Sequence, residues 1–473
     1  MRLRQMVSTV SKDLAALPRL LRGIKGLLHP QPKARDTVVS FQDACVRDLI
    51  RHAHACVPYY RRLFEKAGLK PGDVLGVADL AAVPLTSRED LQQLPRNEIC
   101  AEGSQVDSLY VVMTSGSTGA PLTVRRSMAE ERLLLAYRVR AMSALGIGPR
   151  ARRATIDHLR PGSQRGDMKR RWLHGRLGVM PRLWIDWQTP KNEILSALER
   201  FQPQVIHGPP SILSWLADEF TDDDRRRVSA RLIMTGSETL TARMRGSIER
   251  GFGLPAVDVY GSHETVFIAM QMQVPEAGEN APSYRVCEES VVIEVLRNES
   301  PVQSGETGEV VVTALQSFTM PFIRYRLGDH VTLGEAPGES AGAYTTLRSI
   351  DGRTLDRFNL PDGRKVLGYV LGEAVEESGL LVRRFQVVQE RPEAFRIAIV
   401  LYEPPRGKLD GLAGRLRHIL GPSVTARIDV VPDLSAMGSR KFSPYIPYER
   451  LTQRAVSSRC TPVGSRHADM ASQ

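Results

Sequence analysis

The sequence predicts an α/β protein. It has a large N-terminal domain of mostly parallel sheets flanked by helices, a β-rich subdomain appended to it, and a small α+β C-terminal domain. Three observations carry this. Short apolar runs that break into glycine and polar residues alternate with helical patterns between residues 109 and 265, the order expected of strands feeding a largely parallel sheet. From residue 284 the chain turns to β-type runs, Val291–Leu296 and Gly308–Thr313, with Gly305-Glu306-Thr307-Gly308 as the turn. Beyond residue 352 lies a smaller unit whose strands are Phe385–Val388, Phe395–Val400 and Ala426–Val431. The resulting division is a basic N-terminal segment (1–39), a large domain (40–351), a small domain (352–456) and a loose polar tail (457–473).

Composition narrows the class. With 473 residues, 42% of them apolar, the chain can bury cores for two or three domains and is folded rather than disordered. Its five cysteines, Cys45, Cys56, Cys100, Cys287 and Cys460, are scattered and contain no CxxC pair. That points to reduced thiols in a cytoplasm, not to a disulfide framework or a zinc site. No uninterrupted apolar run of about 18 residues exists to span a bilayer, and the N-terminus lacks a signal-peptide core.

The net charge of +11 is concentrated. Residues 1–35 contribute +7 and residues 150–182 contribute +8, leaving −4 for the rest. A nucleic-acid binder does not usually confine its charge in that way. The rival class, a basic nucleic-acid-binding protein, would use 150–182, where Trp172 lies among arginines and Trp184 and Trp187 follow closely. A solvated surface with buried tryptophans is the preferred reading, with an anionic substrate or cofactor tail as the other option.

In chain order, Leu14, Leu17, Leu21, Ile24 and Leu28 lie near helical spacing with Arg19, Arg22 and Lys25 between them. This basic amphipathic segment suits either packing on the protein body or an anionic membrane surface. Phe41, Val46, Leu49 and Ile50 mark one face of a helix, and a second helix begins near Pro58. Ser87 and Asp90 have capping-box spacing. Leu109–Met113 reads as a short buried strand, and Ser127 opens a long helix to about Leu145. Val205–His207, Arg231–Thr235 and Val257–Tyr260 read as strands, each followed by polar residues and then a helix. In such sheets ligands bind at the carboxyl ends of the strands. The four polar segments 114–121, 207–211, 235–238 and 260–265 are expected at that edge.

The segment 114–121 runs Thr114-Ser115-Gly116-Ser117-Thr118-Gly119-Ala120-Pro121. Its glycines let several backbone N–H groups converge on one concavity, and the hydroxyls of Ser115, Ser117 and Thr118 can reach phosphate oxygens. It is not a Walker A loop, because no Lys-Ser or Lys-Thr follows the last glycine.

Together with Tyr260-Gly261-Ser262-His263-Glu264, Gly305–Glu309, Pro321–Asp329, Gly352-Arg353 and Phe385–Gln389, this loop resembles the adenylate-forming enzymes of the phenylacetate–CoA ligase type. Within that group the chain is most similar to capsule-biosynthesis-type adenylate ligases. The resemblance covers roughly residues 40–450. It implies a two-step reaction: a carboxylate attacks the α-phosphorus of ATP, releasing pyrophosphate, and a nucleophile, usually the thiol of coenzyme A, then displaces AMP.

The resemblance also implies roles at matching positions. Thr114, Ser115, Gly116, Ser117, Thr118 and Gly119 would hold the β- and γ-phosphates. Tyr260 would stack on adenine, and Gly236, Ser237 and Glu238 would line its edge. Gly261, Ser262, His263 and Arg326 would complete the nucleotide site, and Asp329 would accept the ribose hydroxyls. Glu264 would ligate Mg²⁺, a hard ion suited to a carboxylate. Arg353 would reach the phosphates or ribose. The catalytic lysine of the small, mobile C-terminal domain falls on Lys441, beside Arg440. Three positions depart from the pattern: Leu122 stands where many wider-family members carry lysine, Leu355 where the hinge often carries an acid, and His263 where Thr or Ser is commoner.

The expected function is therefore ATP- and Mg²⁺-dependent activation of a carboxylic acid and transfer to coenzyme A. An amine, hydroxyl or carrier-protein thiol is the alternative acceptor. No nucleic acid is expected. Peripheral membrane contact through residues 1–39 and a homodimer are compatible with the sequence but not required by it.

Overall fold

The computed structural model describes residues 34–104, 109–113, 122–157, 181–272, 283–335, 343–353, 357–376, 378–380, 382–401, 404–405, 409–432, 434 and 444–449. The chain divides into two compact units, with the boundary between Asp351 and Gly352.

The first unit opens with helices α1 (Arg35–Cys56), α2 (Pro58–Lys66), α3 (Arg88–Gln92) and α4 (Arg96–Ile99). Val46, Leu49, Ile50 and Ala53 of α1 are buried against Tyr60 and Phe64 of α2. Pro58 at the first turn of α2 suits a position where no N–H is needed. Ser87 caps α3, accepting from Asp90 N while the Asp90 carboxylate takes Ser87 N.

Strands β1 (Tyr110–Met113) and β2 (Thr123–Arg126) form an antiparallel pair of their own. Val111 is 45% and Met113 54% exposed, so Leu109–Met113 is not the buried strand its composition predicts. A two-stranded ribbon covers one side only, and here Tyr110, Val124 and Arg126 are its buried residues. Because β1 stands outside the large sheet, the 114–121 segment does not follow a strand of that sheet as the other three polar segments do.

Helix α5 (Met128–Ala144) follows, capped by Ser127 with Glu130 returning the capping box. The chain then alternates strand and helix: β3 (Arg153–Asp157), β4 (Arg182–Asp186), α6 (Lys191–Phe201), β5 (Val205–Gly208), α7 (Pro210–Glu219), α8 (Asp222–Arg227), β6 (Leu232–Gly236), α9 (Ala242–Phe252) and β7 (Ala256–Tyr260). Strands β4-β3-β5-β6-β7 lie side by side and parallel. Alternation sorts their side chains. Ala154, Ile156, Ile206, Ile233 and Ala256 face α6, α7 and α9, while Val205, Leu232, Met234 and Val257 face α5.

After Tyr260 the strand–polar–helix rhythm stops. The chain turns straight into the antiparallel β8 (Ala269–Gln271), with Tyr260 opposite Ala269. No helix follows Glu264, because Val266 N–H bonds the Ser262 carbonyl and Ile268 N–H bonds the Tyr260 carbonyl, closing the segment as a hairpin. The sheet continues through β9 (Tyr284–Val286), β10 (Val291–Arg297), β11 (Ser300–Pro301), β12 (Thr307–Ala314), β13 (Tyr325–Leu333) and β14 (Thr346–Arg353), giving twelve strands among the described residues. Gly352 and Arg353 thus end a strand.

The second unit contains the hairpin β15 (Arg357–Asn359) and β16 (Lys365–Leu367), helix α10 (Gly368–Glu376), strands β17 (Val382–Arg391) and β18 (Ala394–Leu401), helix α11 (Leu409–Leu420), β19 (Thr425–Val430) and β20 (Tyr445–Ile446). Its sheet, ordered β19-β18-β17-β20, packs Val387, Phe395, Ile397 and Ile399 against Leu371 and Val375 of α10 and Leu412, Leu416 and Leu420 of α11. No helix among the described residues is long and apolar enough to cross a membrane.

Candidate active site

The carboxyl ends of β5, β6 and β7 place three of the expected polar segments along one sheet edge. Close backbone packing dictates glycine there. A Cβ on Gly208 would stand 2.5 Å from the Ile156 carbonyl oxygen, and one on Gly261 would stand 2.0 Å from that of Val266. Gly236 continues into Ser237, which has φ +72°. Such a conformation is uncommon without glycine and concentrates at ligand-binding edges. Glu238 reaches back along the edge, its carboxylate accepting from Ser211 N–H at 3.3 Å.

The β7–β8 hairpin carries the densest group of candidates. Ser262 Oγ accepts from the N–H groups of Glu264 and Thr265, each at 3.2 Å, which fixes the turn. The Tyr260 hydroxyl donates to Asp329 Oδ2 at 2.8 Å. Tyr260 is 8% and Asp329 7% exposed. Two candidates that lie far apart in sequence, one at the end of β7 and one in β13, are therefore bonded to each other.

Glu264 is 4% exposed. Its Oε1 accepts from the Tyr325 hydroxyl at 3.3 Å and stands 3.9 Å from an Arg88 guanidinium nitrogen. The backbone around Thr86 sets this arrangement: Thr86 N–H bonds the Arg324 carbonyl and Arg326 N–H bonds the Thr86 carbonyl, drawing the start of α3 onto β13. Burial raises the Tyr325 hydroxyl above its ordinary range, and the neighbouring Glu264 charge adds to this, so Tyr325 acts here as a donor. Sequence reasoning misses Arg88 and Tyr325 as site residues. Arg88 lies in the recognisable Ser87 capping box, and Tyr325 in the Pro321–Asp329 run, but nothing local to either signals a partner in the β7–β8 turn.

His263 is held through its backbone: Arg126 donates to its carbonyl oxygen while pairing with Glu131 at 3.0 Å. The Arg326 guanidinium bonds Glu309 at 2.6 and 3.1 Å, and that pairing raises its pKa. Arg353 is placed at the end of β14 by its backbone. Thr114, Ser115, Gly116, Ser117, Thr118 and Gly119, as well as Lys441, lie outside the described residues, as do most of 150–182, residues 1–33 and the tail from 450.

Among the described residues no three His, Cys, Asp or Glu side chains gather into a metal cluster. Glu264 nonetheless fits Mg²⁺, which is usually bound by one or two carboxylates together with substrate phosphates and water. The hydroxyls of Ser262 and Thr265, 3.2 Å apart beside it, add oxygen donors of the right hardness.

A family model described as AMP-binding enzyme matches residues 170–320. The phenylacetate-coenzyme A ligase of Escherichia coli (strain K12) is 28% identical over 327 residues, 68% of this chain and 72% of that protein. That of Pseudomonas putida is 28% identical over 336 residues, 70% and 74% respectively. Protein CapK of Staphylococcus aureus is 23% identical over 305 residues, 63% of this chain and 64% of that protein. Among solved structures, 2-hydroxyisobutyryl-CoA ligase in the postadenylation state superposes with a TM-score of 0.71 at 18% identity, over 91% of this chain and 96% of that one, a likeness of fold.

Proposed function

We propose that this chain, which belongs to the adenylate-forming enzymes and is phenylacetate–CoA ligase-like, activates a carboxylic acid with ATP and passes the acyl group to coenzyme A. The observation that carries the reading is the convergence of Tyr260, Asp329 and Glu264 around the β7–β8 hairpin. A hydroxyl-fixed carboxylate suits ribose recognition, and a buried carboxylate with oxygen donors beside it suits the metal that accompanies ATP.

In this reading Asp329, oriented through Oδ2 by Tyr260, accepts the ribose hydroxyls, since an ionised carboxylate is acceptor-only and serves two donors at once. Tyr260 meets adenine, whose edge is lined by Gly236, Ser237 and Glu238. Gly261, Ser262 and His263 shape the turn beneath it. Thr114–Gly119 hold the β- and γ-phosphates through backbone N–H groups and hydroxyls. Mg²⁺, when bound at Glu264, supplies charge neutralisation to phosphate oxygens. Arg353 and Lys441 bring cationic charge to the transferring phosphoryl group, a task suited to the compact ammonium of lysine. Arg326, held by its pairing with Glu309, completes the nucleotide site.

The acid's carboxylate oxygen then forms a bond to the α-phosphorus as the bond to the bridging oxygen of pyrophosphate breaks. Attack of the coenzyme A thiolate on the acyl carbon expels AMP. The coenzyme A acceptor is supported by the relatives' names. Pyrophosphate release with ATP, Mg²⁺ and a panel of aryl, fatty, amino and sugar acids, with and without coenzyme A, tests both halves. Release that requires an acid supports adenylation, and acceleration by coenzyme A supports the thioester. Acid-dependent release indifferent to coenzyme A moves the acceptor to an amine, hydroxyl or carrier-protein thiol.

A further inference from the structure

We infer that the acid this chain activates carries a hydroxyl group, received by Thr155 and His207 on the sheet face beneath α5. The inference rests on the acid-activating reading above and names the class of acid.

The register brings the two side chains together. Ala154 and Ile156 of β3 and Ile206 of β5 fill the core against α6, α7 and α9. Alternation therefore turns Thr155 and His207 to the opposite face, the one that Val205, Leu232, Met234 and Val257 present to α5. Thr155 pairs in register with His207, and His207 with Met234. Thr155 is fully buried and His207 partly exposed, so the row runs from a closed end at β3 toward a more open one at β5.

Two polar atoms in this row keep hydrogen-bonding capacity. Thr155 Oγ1 and His207 Nδ1 are both buried, and neither has a hydrogen-bond partner among the described residues. Buried polar groups in folded proteins are nearly always partnered, and one left unmet forfeits its hydration without return. Two such atoms at paired positions of neighbouring strands mark one place that takes a polar occupant. Burial first, and then the charges of Arg153, Arg182 and Arg138, hold the His207 imidazole well below its ordinary pKa, so it is neutral. A neutral imidazole donates through one nitrogen and accepts through the other, and a hydroxyl both donates and accepts. One hydroxyl between Thr155 and His207 thus satisfies both, whichever tautomer the imidazole adopts. An ion would lose its hydration to meet two uncharged partners, which costs far more than burying a hydroxyl.

Position relates the pair to the chemistry. His207 Nε2 lies 3.9 Å from where a Cβ of Gly236 would stand, directly before the Ser237-Glu238 edge. Gly236 itself puts no side chain between the imidazole and that edge. Met234, two residues back along β6 and buried, gives the row an apolar neighbour on its other side. An acid lying along this face would present its carboxylate to ATP at the edge and its hydroxyl to Thr155 and His207 beneath.

The test compares benzoate with its ortho-, meta- and para-hydroxy derivatives, and butanoate with its α- and β-hydroxy derivatives. Each acid is tried as a driver of ATP–pyrophosphate exchange and as a ligand of the full chain by calorimetry. At least one hydroxy acid is expected to exceed its parent by ~10-fold or more in kcat/KM and affinity, as at a site built to hydrogen-bond a substrate hydroxyl. That ratio is expected to fall toward one in Thr155→Val and in His207→Leu. Thr155→Val removes a hydroxyl with no partner, so without acid its melting temperature is expected to match or exceed the parent's. A clear fall would show that hydroxyl bonded within the protein and overturn the inference. Calorimetry on the unaltered chain decides the matter should His207→Leu fail to fold. Exchange driven equally by hydroxy acids and their parents leaves the two atoms to water, which overturns the inference and leaves the activity standing. Preferential binding of a hydroxy acid without any exchange supports the subsite and counts against the activity. Neither exchange nor preferential binding overturns both.

Discussion

The Tyr260 hydroxyl and the Asp329 carboxylate, joined at 2.8 Å, tie the end of a parallel strand to an antiparallel strand at the far side of the β7–β8 hairpin. One oxygen of Asp329 is fixed by this bond, and the carboxylate thereby keeps one orientation. Removing the hydroxyl from a buried, charge-assisted hydrogen bond costs about 1.5–3 kcal/mol. Tyr260→Phe is expected to raise the KM for ATP by roughly tenfold with a smaller change in kcat. Steady-state kinetics at varied ATP would show this, and an unchanged KM would separate the pair from nucleotide binding.

Gly261 is required by the approach of the Val266 carbonyl, whose oxygen lies 2.0 Å from where a Cβ would stand. Gly261→Ala forces the hairpin apart at a turn where Val266 already holds φ +72°. A loss of about 3 kcal/mol or more is expected, at the upper end of overpacking effects. Urea unfolding monitored by circular dichroism gives the difference directly, and a midpoint within error of the parent would show that the hairpin relaxes freely.

His207 sets a pH dependence. Burial first, and the charges of Arg153, Arg182 and Arg138 after it, depress its folded pKa well below 6.5. The unfolded chain therefore takes up a proton that the folded chain resists. Stability is fully present above about pH 6.5 and declines as pH falls below it, by up to about 1.4 kcal/mol per pH unit for this one site. His207→Asn is expected to flatten the fall of the melting temperature between pH 6.5 and 5. Parallel pH profiles for the two proteins would refute it.

Lys441 carries the first half-reaction in the proposed mechanism. Lys441→Ala is expected to lower the rate of pyrophosphate release by ~10²-fold or more, the effect of losing one electrostatic stabiliser. ATP binding measured by calorimetry should change far less. A loss of only a few-fold removes Lys441 from the mechanism and directs attention to Arg440.

Much of the fold is legible because its signals are local. Ser127 and Glu130 announce α5, Ser87 and Asp90 announce α3, and the apolar runs at 205–208, 232–236 and 256–260, each ending at or just before a glycine, become the central parallel strands. The failures come from tertiary context. Leu109–Met113 has the composition of a buried strand but among the described residues pairs only with β2, leaving Val111 and Met113 exposed. The segment after Tyr260 resembles its predecessors, yet antiparallel pairing with β8 replaces the expected helix. The contacts that orient the site, Tyr260 with Asp329 and Glu264 with Arg88 and Tyr325, join strands and loops whose approach depends on sheet order rather than on any local pattern. The pairing of Arg326, adjacent to Tyr325 in the same motif, with Glu309 across the β12–β13 ladder is likewise set by sheet order.

The central claim, acid activation at the β7–β8 hairpin, is tested most directly by exchange of labelled pyrophosphate into ATP with Mg²⁺ and an acid panel, for the parent chain and for Glu264→Gln. The predicted result is exchange that appears only with an added carboxylic acid and falls by about 10²-fold when Glu264 loses its charge. Acid-dependent exchange at full rate in Glu264→Gln, or no exchange with any acid from folded protein, would contradict it.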